Sequence, residues 1–433
     1  MRPVFLLSMY LLFVVAAIAA EDAEDLQRSV HALTRQLADD RLAVRDAAEK
    51  QLVEIGPAAL SYLPRPDEQM PAEILRRLKR VQRQLQLQKS QAAALGKLLS
   101  IQATAQPLSR VLAELERRSG NQIVDFRQRR GQPKIELPVT IDLQDVTFWE
   151  ALDHILDEAG MVVYPYAHDA RGNSLRAVAF ITGDSVTATR SRRTYYHSGF
   201  RFEPLRVIAE RNYRESAANE LEIYFQIAWE PRLTPIRLVL LRNTIRAVDQ
   251  QGRLLKQTTG GESEIATGRG ASTCILPFQL PGHDVHQIKK LTGELKALLP
   301  GSIETFRFDR LTSIADSGAQ IKNAAATVTL ESVRRDGPKW DLRIQVQFED
   351  AAGSLESHLS GWALRNDAYL ENTQGERIEP ISIEETREQQ DDFGMAFQFR
   401  LEDEIQNYTF VYKTPTALLE RRIPFELSNL PLP

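Results

Sequence analysis

Two segments in the C-terminal half of the chain share one pattern, and this repetition constrains the fold more than any other feature. LEIYFQIAWE occupies residues 221–230, and WDLRIQVQFE occupies residues 340–349. In each segment the apolar side chains fall at every second position, which is typical of a β-strand with one buried face. Two polar positions recur as well, since Gln226 and Glu230 in the first segment correspond to Gln345 and Glu349 in the second. The chain therefore contains two β segments that are built alike.

Further pairs of segments repeat in the same order, about 120 residues apart. They are DQQGR with NTQGE, PFQLP with AFQFR, and ALLPGSIETFRF with ALLERRIPFEL, which align Gly252 with Gly375, Phe278 with Phe399, and Ala297 with Ala417. Because this repeat is too long for a solenoid unit, it predicts two tandem β domains, at 189–312 and 313–433. Short alternating strands separated by turns are typical of immunoglobulin-like β-sandwiches, so we expect two all-β sandwich domains.

A small α+β domain is predicted ahead of the first β domain, at residues 98–188. The stretch VTIDLQDVTFWEALDHILDEAGMVVYP, residues 139–165, has the pattern of strand, helix and strand. Gly160 separates the helix from the last strand. The preceding stretch LSRVLAELERRSGNQIV carries a second helix pattern followed by a strand. Two helices on a small sheet would bury the apolar faces of all these elements, with Leu152 and Ile155 at the centre.

This α+β stretch resembles the short N-terminal module of secretins and TonB-dependent receptors, the STN module. The matching residues are Asp145-Val146, Ala151-Leu152, Ile155-Leu156, Gly160 and Val162. The resemblance implies a protein-docking module that works outside the cytoplasm and has no catalytic residues. The sequence shows neither a secretin channel domain nor a receptor barrel, so the transport functions of those families are not carried over.

The segment at 21–97 is predicted to be helical. Its apolar residues recur three or four positions apart on one helix face, and Gly56-Pro57 ends that helix. The pattern resembles a HEAT repeat over about forty residues, with the matching residues Asp40, Val44-Arg45, Ala48, Leu52 and Ile55-Gly56. Since solenoids need about three repeats for stability, we expect a single HEAT-like helix pair capped by the next helix.

That next helix, AEILRRLKRVQRQLQLQ, carries a cluster of basic side chains. They are Arg76, Arg77, Lys79, Arg80 and Arg83. One interpretation is docking to an anionic surface, such as lipid headgroups or an acidic polymer. The other is a solvated helix face. The small net charge of −4 gives no reason to expect nucleic acid as a partner.

The first twenty residues have the order of a secretory signal peptide. Arg2 precedes an apolar run from Val4 to Ile18, and an A-x-A site with acidic residues follows. We expect cleavage after Ala19 or Ala20 and export to the periplasm or the extracellular space. The alternative is a retained N-terminal anchor in the membrane.

The chain offers few candidates for chemistry. Cys274 is the single cysteine, so no intrachain disulfide can form, and its place in the strand-like STCILPFQL predicts a buried thiol. GHDVHQ supplies His283, Asp284 and His286, a weak candidate for a metal site that would need a further ligand. We predict no catalytic residues and no cofactor.

These features together favour a non-enzymatic protein of the cell envelope that binds or scaffolds other envelope proteins. An exported hydrolase is an alternative, because a β-sandwich enzyme can assemble its site from residues distant in the sequence. An accessory component of a secretin or TonB-type uptake machine is a third possibility, which rests on the resemblance alone.

Overall fold

The computed structural model describes residues 24–433, apart from the segments 65–66, 68, 95, 169–174, 184–190, 216–218, 268–269, 302, 315–317, 324–325, 349–365, 389–391, 402 and 416–417. The predicted signal peptide at 1–20 therefore lies outside the described residues. The chain is mostly β, with several sheets and with its longer helices near the N-terminus. It divides into two compact units, one formed by the residues up to Ala92 with Gly301–Ala417, the other by Ala93–Pro300 with Leu418–Pro433.

Six α-helices are described. They are α1 (24–36), α2 (Leu42–Ile55), α3 (Ala72–Ala94), α4 (Leu108–Ser119), α5 (Phe148–Glu158) and α6 (Leu311–Ile314). None of the helices in the described part of the chain is long and apolar enough to cross a membrane.

The strands before residue 301 all belong to the second unit. They are β1 (Leu99–Pro107), β2 (Ile123–Asp125), β3 (Pro138–Val146), β4 (Met161–Val163), β5 (Val178–Thr182), β6 (Tyr195–His197), β7 (Phe200–Glu210), β8 (Glu220–Trp229), β9 (Arg237–Asp249), β10 (Glu262–Ile265), β11 (Ala271–Gln279) and β12 (Gln287–Pro300).

The later strands divide between the two units. They are β13 (Ile303–Phe308), β14 (Ala319–Asn323), β15 (Ala326–Asp336), β16 (Lys339–Phe348), β17 (Ala368–Asn372), β18 (Arg377–Ile378), β19 (Ser382–Glu388), β20 (Asp392–Arg400), β21 (Tyr408–Pro415) and β22 (Leu418–Pro431).

The N-terminal helices α1, α2 and α3 pack around a small apolar core. Ala48 and Leu52 of α2 are fully buried, as the helical spacing predicts. Val81 and Leu85 of α3 join them in the same cluster. A short 3-10 turn, Pro57–Ser61, follows α2.

The α+β module contains two small sheets and two helices. Strands β1 and β3 form an antiparallel pair, and β2, β5 and β4 form a three-stranded sheet in that order. Both helices bury an apolar stripe in one common core with these strands. Leu152 and Ile155 of α5 are fully buried, which confirms the prediction that they face the sheet.

The first β domain contains two four-stranded sheets, in the orders β11-β8-β7-β6 and β10-β9-β12-β22. Apolar side chains from both sheets belong to one core, and Phe425 of β22 stacks on Phe202 with 4.9 Å between ring centroids. Gly293 lies opposite Phe425 in the ladder, and a Cβ at Gly293 would come within 2.7 Å of the Phe425 ring. The glycine thus leaves the space that the ring fills.

The second β domain contains a four-stranded sheet, β13-β21-β17-β18, and a five-stranded sheet, β14-β15-β16-β20-β19. Rings from the two sheets meet, since Phe397 of β20 lies 5.6 Å from Phe410 and 6.1 Å from Tyr412 of β21, measured between ring centroids.

The boundaries predicted for the β domains, 189–312 and 313–433, are wrong at both ends of the second domain. Strand β22 lies at the C-terminus but pairs with β12 of the first domain, and β13 precedes residue 313 but pairs with β21 of the second. The physical reason is burial. Side chains of β22 lie in the core of the first domain, namely Leu419, Ile423, Phe425, Leu427 and Leu430.

One turn recurs in both β domains with the same hydrogen bonds. Asp249 Oδ1 accepts from the backbone N–H of Gln251 and Arg253, and Asn372 Oδ1 accepts from that of Gln374 and Glu376. The aligned glycines of these turns, Gly252 and Gly375, have φ angles of 83° and 80°, a left-handed conformation that favours glycine.

Candidate functional site

The small sheet β2-β5-β4 of the α+β module has a different apolar cluster on each face. Val178 and Phe180 belong to the core that contains α4 and α5. The alternate residues Ala179 and Ile181 belong to a second cluster with Phe126. Successive side chains of a strand point to opposite faces, so this second cluster lies on the sheet face away from the helices.

Aromatic rings and arginine side chains collect on this second face. We call it the aromatic–arginine face and define it by Phe126, Arg129, Arg130, Tyr164, Tyr166 and His168. The Phe126 and Tyr164 rings stack with centroids 5.4 Å apart. The Tyr166 ring meets Tyr164 edge-on at 5.7 Å and is 67% exposed.

Each of the two arginines lies over one of the stacked rings. The Cζ atom of Arg129 is 5.2 Å from the centroid of Phe126, and that of Arg130 is 5.4 Å from the centroid of Tyr164. A cation–π contact at an exposed site contributes about 0.5–1 kcal/mol. These contacts therefore restrict the positions of two guanidinium groups that remain exposed to solvent.

The turn that carries the arginines is held by a network of hydrogen bonds. Asp125 at the end of β2 accepts from the backbone N–H of Arg127 at 3.1 Å and from its guanidinium at 2.7 Å. Gly131, with φ at 71°, ends the following 3-10 turn. The side chain of Gln132 then accepts from the backbone N–H of Thr182 and donates to its carbonyl.

One of the three arginines in this turn is paired with a carboxylate, and the other two differ from it. Arg127 is buried and paired with Asp125. Burial raises the pKa of the Asp125 carboxyl, but the hydrogen bonds from Arg127 outweigh it and the pKa is lowered. Neither Arg129 nor Arg130 has a carboxylate within ion-pair distance in the described part of the chain. Two planar cations are thus available to bind carboxylate or phosphate groups, which arginine can grip with two parallel hydrogen bonds.

Buried polar contacts attach the α+β module to the first β domain, which lies in the same unit. Asn121 Nδ2 donates to Glu230 Oε2 at 2.9 Å, and Asn121 Oδ1 accepts from the backbone N–H of Arg232 at 3.2 Å. The Arg232 side chain also binds Glu230, which is 1% exposed.

A second group of charged side chains joins the same two parts. Asp153 of α5 accepts from the Tyr196 hydroxyl at 2.7 Å and pairs with Arg201 at 3.3 Å. The Arg201 guanidinium lies 5.5 Å from the centroid of the Trp149 ring and also pairs with Glu203. The aromatic–arginine face is therefore carried on a module that is fixed to the β domain beneath it.

The candidate metal residues lie together in the turn between β11 and β12. The Asp284 carboxylate pairs with Arg253 at 2.7 Å, and this hydrogen bond lowers its pKa. The backbone carbonyl of His286 accepts from Leu432. Within the described ranges, no group of three or more His, Cys, Asp and Glu side chains could hold a metal ion.

The basic cluster predicted on α3 is partly neutralised by α2. Arg77 is buried and pairs with Asp46 at 2.8 Å and Glu49 at 2.9 Å, and Arg80 also binds Glu49. Arg77 is therefore held in a contact between α3 and α2, whereas Arg80 is exposed and paired with a carboxylate of α2. The other members of the cluster, Arg76, Lys79 and Arg83, are exposed.

Cys274 lies in β11 and is buried, as the sequence predicts. Burial raises the pKa of its thiol to about 12. The thiol is therefore protonated at neutral pH and is a poor nucleophile.

The aromatic–arginine face was not predicted from the sequence, although its parts are visible there. The basic run FRQRR starts at Phe126 and the aromatic segment YPYAH starts at Tyr164. The two are nearly forty residues apart, and only the sheet that joins β2, β5 and β4 brings them together. A basic run that begins with an aromatic residue directly after a strand is the signal that could have identified it.

No protein-family model matches the chain, and no curated protein matches it. Two solved structures show a low similarity. A conserved domain protein from Bacillus anthracis is 9% identical with a TM-score of 0.17, over 56% of this chain and 92% of that one. Bovine butyrophilin is 8% identical with a TM-score of 0.15, over 49% of this chain and 91% of that one. Scores at this level carry no argument about fold or function.

Proposed function

We propose that the protein is a non-enzymatic binding or scaffolding protein of the cell envelope, and that it docks an acidic partner protein through the aromatic–arginine face. The observation that carries the proposal is the pair of exposed guanidinium groups of Arg129 and Arg130, each stacked on a ring and without a carboxylate partner in the described chain. Exposed Tyr166 beside them adds apolar contact area.

The architecture supports a binding role. A restrained cation loses little conformational freedom when it binds, so its contacts contribute more to affinity than those of a mobile side chain. The module that carries it is attached to the β domain by buried ion pairs and hydrogen bonds. Such a face keeps its geometry while a partner docks, which suits a scaffold.

The finer assignment of the domains belongs to the same proposal. We infer a HEAT-like helical segment, an STN-like α+β module and two β-sandwich domains that arose by tandem duplication. The shared turn at Asp249 and Asn372, with matching hydrogen bonds, supports the duplication.

Export by a cleaved signal peptide is part of the proposal and has its own test. N-terminal sequencing of the protein from its host is expected to find a start at residue 20 or 21. A protein that begins at Met1 and fractionates with the cytosol would contradict it.

The docking role is tested with the immobilised full-length mature protein in envelope extracts. We expect the double variant Arg129→Ala/Arg130→Ala to lose the specifically captured proteins, and we expect polyglutamate to displace them from the wild type. Arg110→Ala is the matched control, because Arg110 is an exposed arginine on α4 of the same module.

The results separate the possible failures. Equal capture by the double variant and the wild type would remove the aromatic–arginine face from the proposal. Failure of the wild type to capture any protein above the level of a blank matrix would contradict the docking function itself.

A further inference from the structure

The outer edge of β11 is covered over only part of its length. Strand β11 lies at the end of the sheet β11-β8-β7-β6. Near its C-terminal end, the backbone N–H of Thr258 donates to the Pro277 carbonyl, and the N–H of Gln279 donates to the Lys256 carbonyl. Backbone groups of alternate residues face the same edge, so those of Thr273 and Ile275 also point outward. No described strand pairs with them.

In the second β domain, a further strand covers the edge that corresponds to the outer edge of β11. There the backbone N–H of Ile381 donates to the Gln398 carbonyl, which matches the bond from Thr258 to Pro277. The two turns that precede these bonds are the matching turns at Asp249 and Asn372.

After this point the two domains differ. In the second domain the chain continues along β20 as β19, with Ile383 opposite Phe397 and Glu388 opposite Phe393. In the first domain the chain leaves the edge and forms β10 on the other sheet, where Glu262 lies opposite Leu241. Among the described strands, none therefore occupies beside β11 the position that β19 fills beside β20.

A cavity of about 220 Å³ lies at this open edge, between β10 and β11. Its walls include Ser263 and Ile265 of β10 and Ser272 and Ile275 of β11. The side chain of Ile275 is 38% exposed. The cavity is thus lined by the part of β11 whose outward backbone groups a further strand would bind.

One positive charge in this cavity has no countercharge among the residues that the structure describes. Arg242 lines the cavity and makes hydrogen bonds to the Thr259 hydroxyl at 2.9 Å and to the Ile275 carbonyl at 3.3 Å. Neither acceptor is charged, and among the described residues no carboxylate lies within ion-pair distance of Arg242. Glu264, also in the wall, is paired with Arg237 at 3.6 Å.

We propose that this groove is a second binding site, at which an extended acidic segment of a partner protein adds as a strand to the edge of β11. Main-chain hydrogen bonds to Thr273 and Ile275 hold the segment, and a carboxylate of the segment binds Arg242. The strand that fills the equivalent position in the second domain is itself acidic, with Glu384, Glu385 and Glu388. The site is independent of the aromatic–arginine face.

The test uses the full-length mature protein and a synthetic peptide with the sequence of residues 381–388, ISIEETRE. Amide hydrogen exchange is measured with and without the peptide. We expect the amides of Thr273 and Ile275 to become protected, and we expect a peptide with lysine in place of its glutamates to bind at least about tenfold more weakly, a difference of about 1.4 kcal/mol.

Two variants block the groove by different means. Ile275→Pro removes an outward N–H without taking a donor from the ladder to β8. Ala266→Trp fills the cavity from an exposed position and keeps the proposal testable if the proline variant does not fold. Both are expected to lose peptide binding, whereas Ala47→Trp, at an exposed alanine of α2, is the control for an added tryptophan and is expected to bind as the wild type does.

The proposal is overturned if the peptide gives no protection in the wild type, or if Ala266→Trp binds it as tightly as the wild type. The variant Arg129→Ala/Arg130→Ala is expected to keep full peptide binding. Loss of peptide binding by this variant would show that the peptide binds to the aromatic–arginine face, and it would also overturn the proposed site at β11.

Discussion

At the scale of single residues, Glu230 is the side chain whose replacement we expect to be most costly in the joint between the α+β module and the first β domain. Its carboxylate is buried and binds both Asn121 and Arg232. Glu230→Ala removes the acceptor of the buried Asn121 amide and a carboxylate that binds Arg232, so we expect the free energy of unfolding to fall by about 3 kcal/mol. Urea denaturation measures this loss.

The control for Glu230 is Glu210→Ala, at an exposed carboxylate of β7. A surface change of this kind is expected to shift stability by less than about 0.5 kcal/mol. Equal denaturation midpoints for the two variants would show that the buried cluster contributes nothing to the joint.

The thiol of Cys274 provides a second test at this scale. Burial raises its pKa to about 12, above the unfolded value of 9.0. The neutral thiol therefore costs nothing below pH 9.0, and the free energy of unfolding is expected to fall as the pH rises from 9.0 towards 12. At about pH 8, a thiol reagent is expected to label Cys274 far more slowly in the native protein than in urea. Similar rates in both states would contradict its burial.

At this scale the sequence pattern identifies buried positions better than binding positions. The alternation of Leu342, Ile344 and Val346 correctly placed all three in a core, because alternate residues of a strand share a face. The contact between Arg130 and the Tyr164 ring could not be predicted from the spacing of residues along a strand. It depends on which strands become neighbours, and residue spacing does not specify this.

At the scale of elements, β22 is the strand on which the first β domain depends. It supplies Phe425 and other apolar side chains to that core and pairs with β12 along its length. Deleting residues 418–433 removes five buried apolar side chains, each of which contributes about 2–5 kcal/mol to stability. Their combined contribution exceeds the free energy of unfolding of a typical domain, which is about 5–15 kcal/mol. We expect the first β domain to unfold, and rapid labelling of Cys274 in its core reports this.

The milder variant Phe425→Ala distinguishes the strand from the single ring. It is expected to cost about 3–5 kcal/mol and to leave the fold intact, because the ladder to β12 remains. Protection of Cys274 in the deletion variant at the level of the wild type would show that β22 is dispensable.

The exchange of β13 and β22 explains why the predicted domain boundaries failed. Both strands show the alternation of a half-buried strand, and the repeat aligns their sequences with each other. Alternation of apolar and polar residues indicates that one face of a strand is buried, but it does not indicate which sheet the strand joins. The prediction assigned each strand to the β domain beside it in the sequence, whereas the strand pairing places β13 in the second β domain and β22 in the first.

At the scale of the whole molecule, two fragments of nearly the same length should behave differently. The fragment 301–417 contains β13 to β21, which form the sheets of the second β domain. The fragment 313–433 lacks β13 and carries β22 without its partner β12. We expect only the first to be soluble and to unfold cooperatively, as measured by circular dichroism during heating. Cooperative unfolding of 313–433 with equal stability would contradict the strand exchange.

The pairing of β12 with β22 also sets an order of events during synthesis. The strands β6 to β12 leave the ribosome well before residues 418–431 exist, so the sheet of the first β domain closes only when those residues have been made. Contacts between distant parts of a chain form slowly, and the edge of β12 stays exposed in the meantime. A chain released before residue 418 would keep this edge open to proteases and chaperones, so closure of the sheet reports that residues 418–431 have been made.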